Sequence, residues 1–195
     1  MIPTIYPWQS DQWQSLAKAL AEDRLAHAYL LAGSVGIGKS HFAGCLASLL
    51  VCKQPQMAQA CGECESCQLT LAGNHPDFRH IDVEEGKRQI RVEQVRDIQH
   101  FTNQTSFAGG RKVVVVNPAE AMNNSTANAF LKTLEEPAGN TILILCTDAP
   151  GQLLATIRSR CRVIDFPMPS SEMALAWLTE RVGERDSEAL LIEAA

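Results

Sequence analysis

No stretch of this 195-residue sequence approaches the ~20 consecutive apolar residues with which a helix crosses a bilayer, so no membrane-spanning helix and no membrane partner are expected. The opening MIPTIYPWQS lacks both the basic start and the apolar run of a secretory signal, which points to a cytoplasmic location. Positive charge is also short, with 17 Lys and Arg against 22 Asp and Glu and a formal net charge of -5. A protein that grips DNA through a dominant basic field is thereby excluded, and any DNA contact must be local or shared with partners. Solenoid-length repeats and low-complexity tracts are absent.

What is present is a 46% hydrophobic chain, enough for one good-sized domain and the start of a second. A chain of this size buries roughly 70% of its unfolded surface and needs no disulfides to hold a core. In a reducing compartment seven cysteines, an odd number with tight local spacing, point to metal rather than to a disulfide framework.

The periodicity predicts helix, strand, loop and helix in succession. Ser10 or Asp11 can cap a first helix running to about Arg24, with Trp13, Leu16, Ala17 and Leu20 at helical spacing. Ala28–Ala32 reads as a buried parallel strand, and a helix follows from about Lys39 to Val51. Further strands are expected at Asp77–Asp82, Lys112–Val116, Thr141–Cys146 and Arg162–Phe166, with helices at Arg91–Asn103 and Asn124–Glu136. Alternating strands and helices imply an α/β fold with a doubly wound parallel sheet of five strands flanked by helices. Pro167-Met-Pro169 breaks the pattern. Residues 1–166 therefore form the expected nucleotide-binding domain, and 167–195 the start of a small helical domain, cut short at Ala195 within an apolar helix.

Gly33-Ser-Val-Gly36-Ile-Gly38-Lys39-Ser40 matches G-x-x-x-x-G-K-[ST] completely and lies between a predicted strand and a predicted helix. Glycines there let backbone N–H groups turn toward phosphate oxygens, and the helix N-terminus adds a favourable dipole. Lys39 is expected to reach the β and γ phosphates of ATP or ADP, and Ser40 to hold Mg²⁺. Hydrolysis also needs carboxylates after a second strand. After Val113–Val116 the sequence supplies Asn117-Pro118 instead, and Glu120, three residues further on, is expected to point elsewhere.

Cys52, Cys61, Cys64 and Cys67 have the spacing C-x8-C-x2-C-x2-C, which lets four thiolates face one tetrahedral Zn²⁺. Four sulfurs leave no position for water, so the expected metal is structural; an iron–sulfur cluster and free thiols are the competing readings. His75 and His80 are nearby substitutes for a ligand, although an ordinary core or surface histidine is the simpler reading of each. Cys45, Cys146 and Cys161 lie in apolar settings and read as buried spectators. From Lys53 to Thr70 there is one Lys and no Arg, while Glu63 and Glu65 add negative charge, so this module is a poor DNA binder.

Several motifs in this order resemble one family. They are Tyr6-Pro-Trp8, His27-Ala-Tyr-Leu-Leu31, the cysteine module, Asn74-His-Pro-Asp77, Asn128-Ala-Phe-Leu-Lys-Thr-Leu-Glu-Glu-Pro137 and Arg158-Ser-Arg-Cys161. The chain is similar, over essentially its whole length, to the delta-prime subunits of the bacterial DNA polymerase III clamp loader, which are AAA+ proteins. The resemblance implies an AAA+ domain with a zinc-binding insertion at 52–67 and a helical lid. It implies as partners the motor subunits and delta, with the sliding clamp and primed DNA engaged through the assembled complex. It also implies that Arg160 is an arginine finger acting on ATP held by a neighbour, that Thr147 sits at the sensor position, and that the Asn128–Pro137 helix belongs to the subunit contact surface. Many members have a damaged phosphate loop, whereas this one is intact. The family's C-terminal collar domain is missing from the sequence. A catalytically active AAA+ motor subunit is the alternative reading.

Overall fold

The computed structural model describes residues 4–107 and 110–182. Five strands form a single parallel sheet: β1 (Ala28–Gly33), β2 (Phe78–Ile81), β3 (Lys112–Val116), β4 (Thr141–Thr147) and β5 (Arg162–Phe166). Their order across the sheet is β2-β3-β4-β1-β5. The chain leaves β1 for the far edge, returns strand by strand to β4, then crosses β1 to lay β5 on its other side. β1 is thus an inner strand, and the space beyond its carboxyl end is where ligands bind in open sheets of this kind.

The helices are α1 (Ser10–Ala21), α2 (Lys39–Val51), α3 (Glu65–Leu71), α4 (Val92–Asn103), α5 (Asn124–Glu135), α6 (Ala155–Arg158) and α7 (Ser171–Val182). Successive strand residues point to opposite faces, and both faces are apolar. Tyr29, Leu31, Val113, Val115, Ile142 and Ile144 pack with Phe42 and Leu46 of α2. Leu30, Val114, Val116, Leu143 and Leu145 pack on the other face with Ile98 of α4 and Phe130 and Leu134 of α5. The consecutive valines of β3 are fully buried because helices cover them on both sides.

Three elements depart from the sequence expectation. α1 stops at Ala21, not near Arg24, because Asp23 takes a left-handed φ of 49° and the Arg24 N–H turns back to the Ala19 carbonyl. That is a Schellman-type end, available here without glycine. The cysteine-rich segment contains α3, and a short α6 precedes β5; both are too brief to leave a periodic signal. A 3-10 turn at Pro7–Gln9 precedes α1, where the Tyr6 N–H donates to Gln9 Oε1.

After Pro167-Met-Pro169, α7 docks on that turn: the Trp177 ring stands edge-on to Tyr6 at 5.1 Å and to Trp8 at 5.5 Å. The remainder of the expected second domain, 183–195, lies outside the described residues.

Phe42 is fully buried, with the rings of Trp13 and Phe166 edge-on at 5.4 and 4.9 Å. Phe42→Ala is expected to cost about 3–5 kcal/mol in a urea unfolding titration. Val163→Ala, on the exposed face of the edge strand β5, is expected to stay within ~0.5 kcal/mol.

Candidate functional site

The phosphate loop connects the carboxyl end of β1 to α2 as the sequence predicts. Its glycines are required for separate reasons. A Cβ on Gly33 would lie 2.5 Å from the Phe166 carbonyl oxygen and 2.7 Å from Ile37 Cδ1, so a side chain has no room. Gly36 and Gly38 adopt left-handed φ values of 82° and 87° that L residues rarely take. At Gly38 a Cβ would also strike the Tyr6 ring. The loop is held from outside by Trp8, whose indole N–H donates 3.0 Å to the Ile37 carbonyl, and by Gln9, whose amide donates to the Ile37 and Gly38 carbonyls. Tyr6 stacks on His41 of α2 at 4.5 Å. The short amino-terminal motif is therefore a brace for the loop.

Lys39 is almost fully buried, and its ammonium meets three acceptors: the Gly33 carbonyl at 2.9 Å, the Ser34 carbonyl at 2.5 Å and Asp148 Oδ1 at 2.5 Å. Ser40 is exposed in the first turn of α2. Thr147 ends β4 beside the loop and is buried; its hydroxyl oxygen accepts the Ala149 N–H at 3.1 Å. The residue at this strand end that reaches Lys39 is the next one, Asp148. Its backbone N–H donates 2.9 Å to Glu120 Oε1. Glu120 therefore reaches the backbone at the end of β4. The 3-10 turn Ala119–Ala121 after β3 bends the chain back toward the sheet and swings this side chain over. Glu120 Oε2 is buried without a hydrogen-bond partner among the described residues.

Arg160 lies at the other end of the sheet. Tyr29 pairs with Arg162 at the amino ends of β1 and β5, and Gly33 with Phe166 at their carboxyl ends. At ~3.3 Å per residue, Arg160 and the phosphate loop are separated by on the order of 15 Å along the strands. The Arg160 guanidinium is about one-third exposed, pairs with Glu135 Oε1 of α5 at 2.7 Å and donates to the Thr156 carbonyl at 3.0 Å. Phe130 and Leu134 of α5 face the core, and Leu131 is partly buried against it.

Cys52, Cys61, Cys64 and Cys67 converge, with all four Sγ atoms within 4.8 Å of one another. The separations Cys52–Cys61, Cys52–Cys64 and Cys61–Cys67 are 3.6, 3.9 and 3.9 Å. A tetrahedral ion with metal–sulfur bonds of ~2.3 Å requires edges of about 3.8 Å, so this donor set fits a four-thiolate metal centre. The Gln54 and Cys61 N–H groups donate to Cys52 Sγ, and the Cys64 N–H to Cys61 Sγ, each at 3.4 Å. Burial pushes the Cys64 thiol up, but N–H donors from Cys67 and Lys53 together with the neighbouring thiols outweigh it and bring it to about 6. The backbone N–H groups of Cys64 and Glu63 hold Cys61 below its ordinary value. Burial raises Cys52 and Cys67. Cys45, Cys146 and Cys161 are buried apart from this cluster, and burial pushes them up to about 11, 12 and 12.

His75 is not a ligand. It is buried, accepts the Asp77 N–H at Nδ1 (3.0 Å), and meets Ser66 Oγ at Nε2 (2.5 Å). With Nδ1 accepting, Nε2 carries the proton and donates to Ser66, whose hydroxyl donates 2.5 Å to the Val51 carbonyl at the end of α2. This chain of hydrogen bonds fastens the cysteine module to the sheet domain. His80 is exposed on β2.

The fold and these sites define a P-loop α/β domain of the AAA+ type carrying a four-cysteine insertion. The profile of the family described as "DNA polymerase III, delta subunit" matches residues 8–170. The chain is 48% identical over 186 residues to the DNA polymerase III subunit delta' of Pseudomonas aeruginosa, covering 95% of this chain and 56% of that protein. It is 39% identical to the Escherichia coli subunit delta', covering 91% of this chain and 53% of that protein. The chain belongs to the DNA polymerase III delta-prime subunit family, and it spans about half the length of these relatives.

Among solved structures, a DNA polymerase III gamma subunit-related protein of Thermotoga maritima superposes with a TM-score of 0.67 at 28% identity, covering 94% of this chain and 54% of that one. The RuvB Holliday junction branch migration motor of the same organism, at 16% identity, shares the fold with a TM-score of 0.55 over 93% of this chain and 52% of that one. Among the described residues no helix is long and apolar enough to cross a membrane.

The roles of Asp148, Glu120 and Glu135 are not legible from the sequence pattern. For Asp148 a signal exists, namely an acid directly after the strand that flanks the phosphate loop; Glu120 is placed by a 3-10 turn and Glu135 by the last residue of α5, and neither position marks its partner in the sequence. Burial holds the His75 pKa below its ordinary value, with the charges of Lys53 and Arg79 assisting and Asp77 opposing. The unfolded chain takes up a proton below about pH 6.5 while folded His75 resists it. Stability is therefore expected to decline as pH falls through 6.5 and to level off below the folded value. His75→Ala should lower stability at pH 8 by about 1–3 kcal/mol and flatten that acid limb relative to wild type, as read by urea titrations across pH.

Proposed function

We propose that this chain acts as a delta-prime-like subunit of the DNA polymerase III clamp loader, assembling with motor subunits and delta to load the sliding clamp onto primed DNA. In this reading it binds nucleotide weakly or not at all, does not hydrolyse it alone, and supplies Arg160 to ATP held by a neighbouring subunit. The observation that carries the reading is the position of Arg160 at the opposite end of the sheet from Lys39, partly exposed and out of reach of the chain's own phosphate loop. A guanidinium there can stabilise transition-state charge only on a nucleotide held by another molecule. Asn117-Pro118 after β3, where Mg²⁺ and water need carboxylates, supports the non-hydrolysing role.

The intact phosphate loop favours a second reading, an active AAA+ motor. The four-cysteine centre is read as structural zinc: the set is closed, so the ion fastens the insertion to the end of α2 and does no chemistry. The domain boundary near Phe166, a lid beginning at α7 and cytoplasmic residence belong to the same proposal.

In a loader reconstituted with this subunit, Arg160→Ala is expected to cut ATP turnover at the site it serves by on the order of 10³-fold, lowering DNA-stimulated phosphate release. Unchanged release and clamp loading would remove the arginine-finger assignment. The chain alone should release no phosphate from ATP; turnover abolished by Lys39→Ala would favour the motor reading instead. Elemental analysis is expected to give one zinc per chain, lost in Cys64→Ser, and a chelator should loosen the insertion without changing DNA affinity.

A further inference from the structure

Lys39 is the cation that a phosphate loop offers to a nucleotide, yet here it has nothing left to offer. An ammonium has three protons, and the Gly33 carbonyl, the Ser34 carbonyl and Asp148 Oδ1 take all three. Two of these acceptors belong to the loop itself and are neutral. The third is an anion from the neighbouring strand end. We propose that Asp148 is a built-in competitor for the nucleotide's phosphates, an autoinhibitory carboxylate that occupies Lys39 until a polyphosphate displaces it. The inference rests on the reading of the loop as a nucleotide site and supplies a physical cause for the weak binding that reading proposes.

Asp148 is prepared for this task. Its backbone is fixed on one side by the N–H bond to Glu120 and on the other by the turn in which the Ala149 N–H meets Thr147 Oγ1. The carboxylate is thus delivered to Lys39 by pinned backbone. Its side chain is 41% exposed whereas that of Lys39 is 4% exposed, so the acid can swing into solvent while the lysine stays put. Opening the pair alone would leave the enclosed Lys39 without a counter-charge, so the carboxylate departs only as a phosphate takes its place, which makes the block an exchange. A phosphate brought to Lys39 must either expel Asp148 or lie beside it, and like charges in contact are costly. Glu120, bonded to the same backbone N–H, adds a second negative charge on that side.

The test titrates the full chain with labelled ATP and labelled ADP, in Mg²⁺ and in EDTA, comparing wild type, Asp148→Ala, Asp148→Asn and Lys39→Ala. Both Asp148 variants are expected to bind about tenfold more tightly than wild type in either buffer, and adding Lys39→Ala should abolish the gain. Asp148→Asn keeps the side-chain volume and serves if the alanine variant fails to fold. If the Asp148 variants match wild type while Lys39→Ala removes binding, the competitor is overturned and the nucleotide site stands. Binding weakened by Asp148→Ala only in Mg²⁺ would make Asp148 a metal-holding residue and also overturn the proposal. If neither wild type nor the Asp148 variants bind millimolar nucleotide, the nucleotide reading itself falls, and the competitor with it.

Discussion

β1 is covered on both faces by helices and hydrogen-bonded on both edges, to β4 and β5, and this enclosure governs the remaining arrangement. An inner strand can be followed only by a turn that leaves the sheet at its carboxyl end, and the turn must be tight because β5 presses against it at Phe166. Glycine at position 33 answers the crowding, and glycine at 36 and 38 answers the left-handed backbone. The helix that starts there then carries Phe42 and Leu46 back onto the strand. Parallel pairing also orders the two ends of the molecule: Lys39 at one, Arg160 at the other.

Each of these two cations is held by a carboxylate of the same chain, Asp148 for Lys39 and Glu135 for Arg160. The pairs differ in depth. Lys39 is enclosed, so its partner offsets a desolvation that would otherwise disfavour the charge. Arg160 and Glu135 are both partly solvated, so their contact orients the guanidinium without binding it tightly. Residues of α5 and α6, Glu135 and Thr156, hold it at the rim of the sheet domain.

The cysteine module is fastened twice. Its own thiols gather around one point, drawn together by backbone N–H groups. It is then joined to the sheet domain through Val51, Ser66, His75 and Asp77, a buried polar chain in which every hydrogen has an acceptor. Asp77 continues the chain by accepting from Phe107 N–H and Ser106. Such a network rigidifies only while fully satisfied, which is why neutral histidine is the form the fold selects.

All five strands, five of the helices, the phosphate loop and the four clustered cysteines are legible in the sequence by itself, because each depends on neighbours only a few residues away. Period-two and period-3.6 burial, glycine at a strand-to-helix turn and C-x2-C spacing are local signals. Short α3 and α6 escape that reading, since one or two turns carry no period. The end of α1 escapes it too, because an aspartate took the left-handed position usually left to glycine. Which carboxylate meets Lys39, where Glu120 points, what holds Arg160 and whether His75 binds metal are not local questions. Glu120 and Asp148, or Ser66 and His75, are brought together by sheet order and by turns. The energy of an ion pair or hydrogen bond depends on that distance and on burial, neither of which is written in the spacing along the chain.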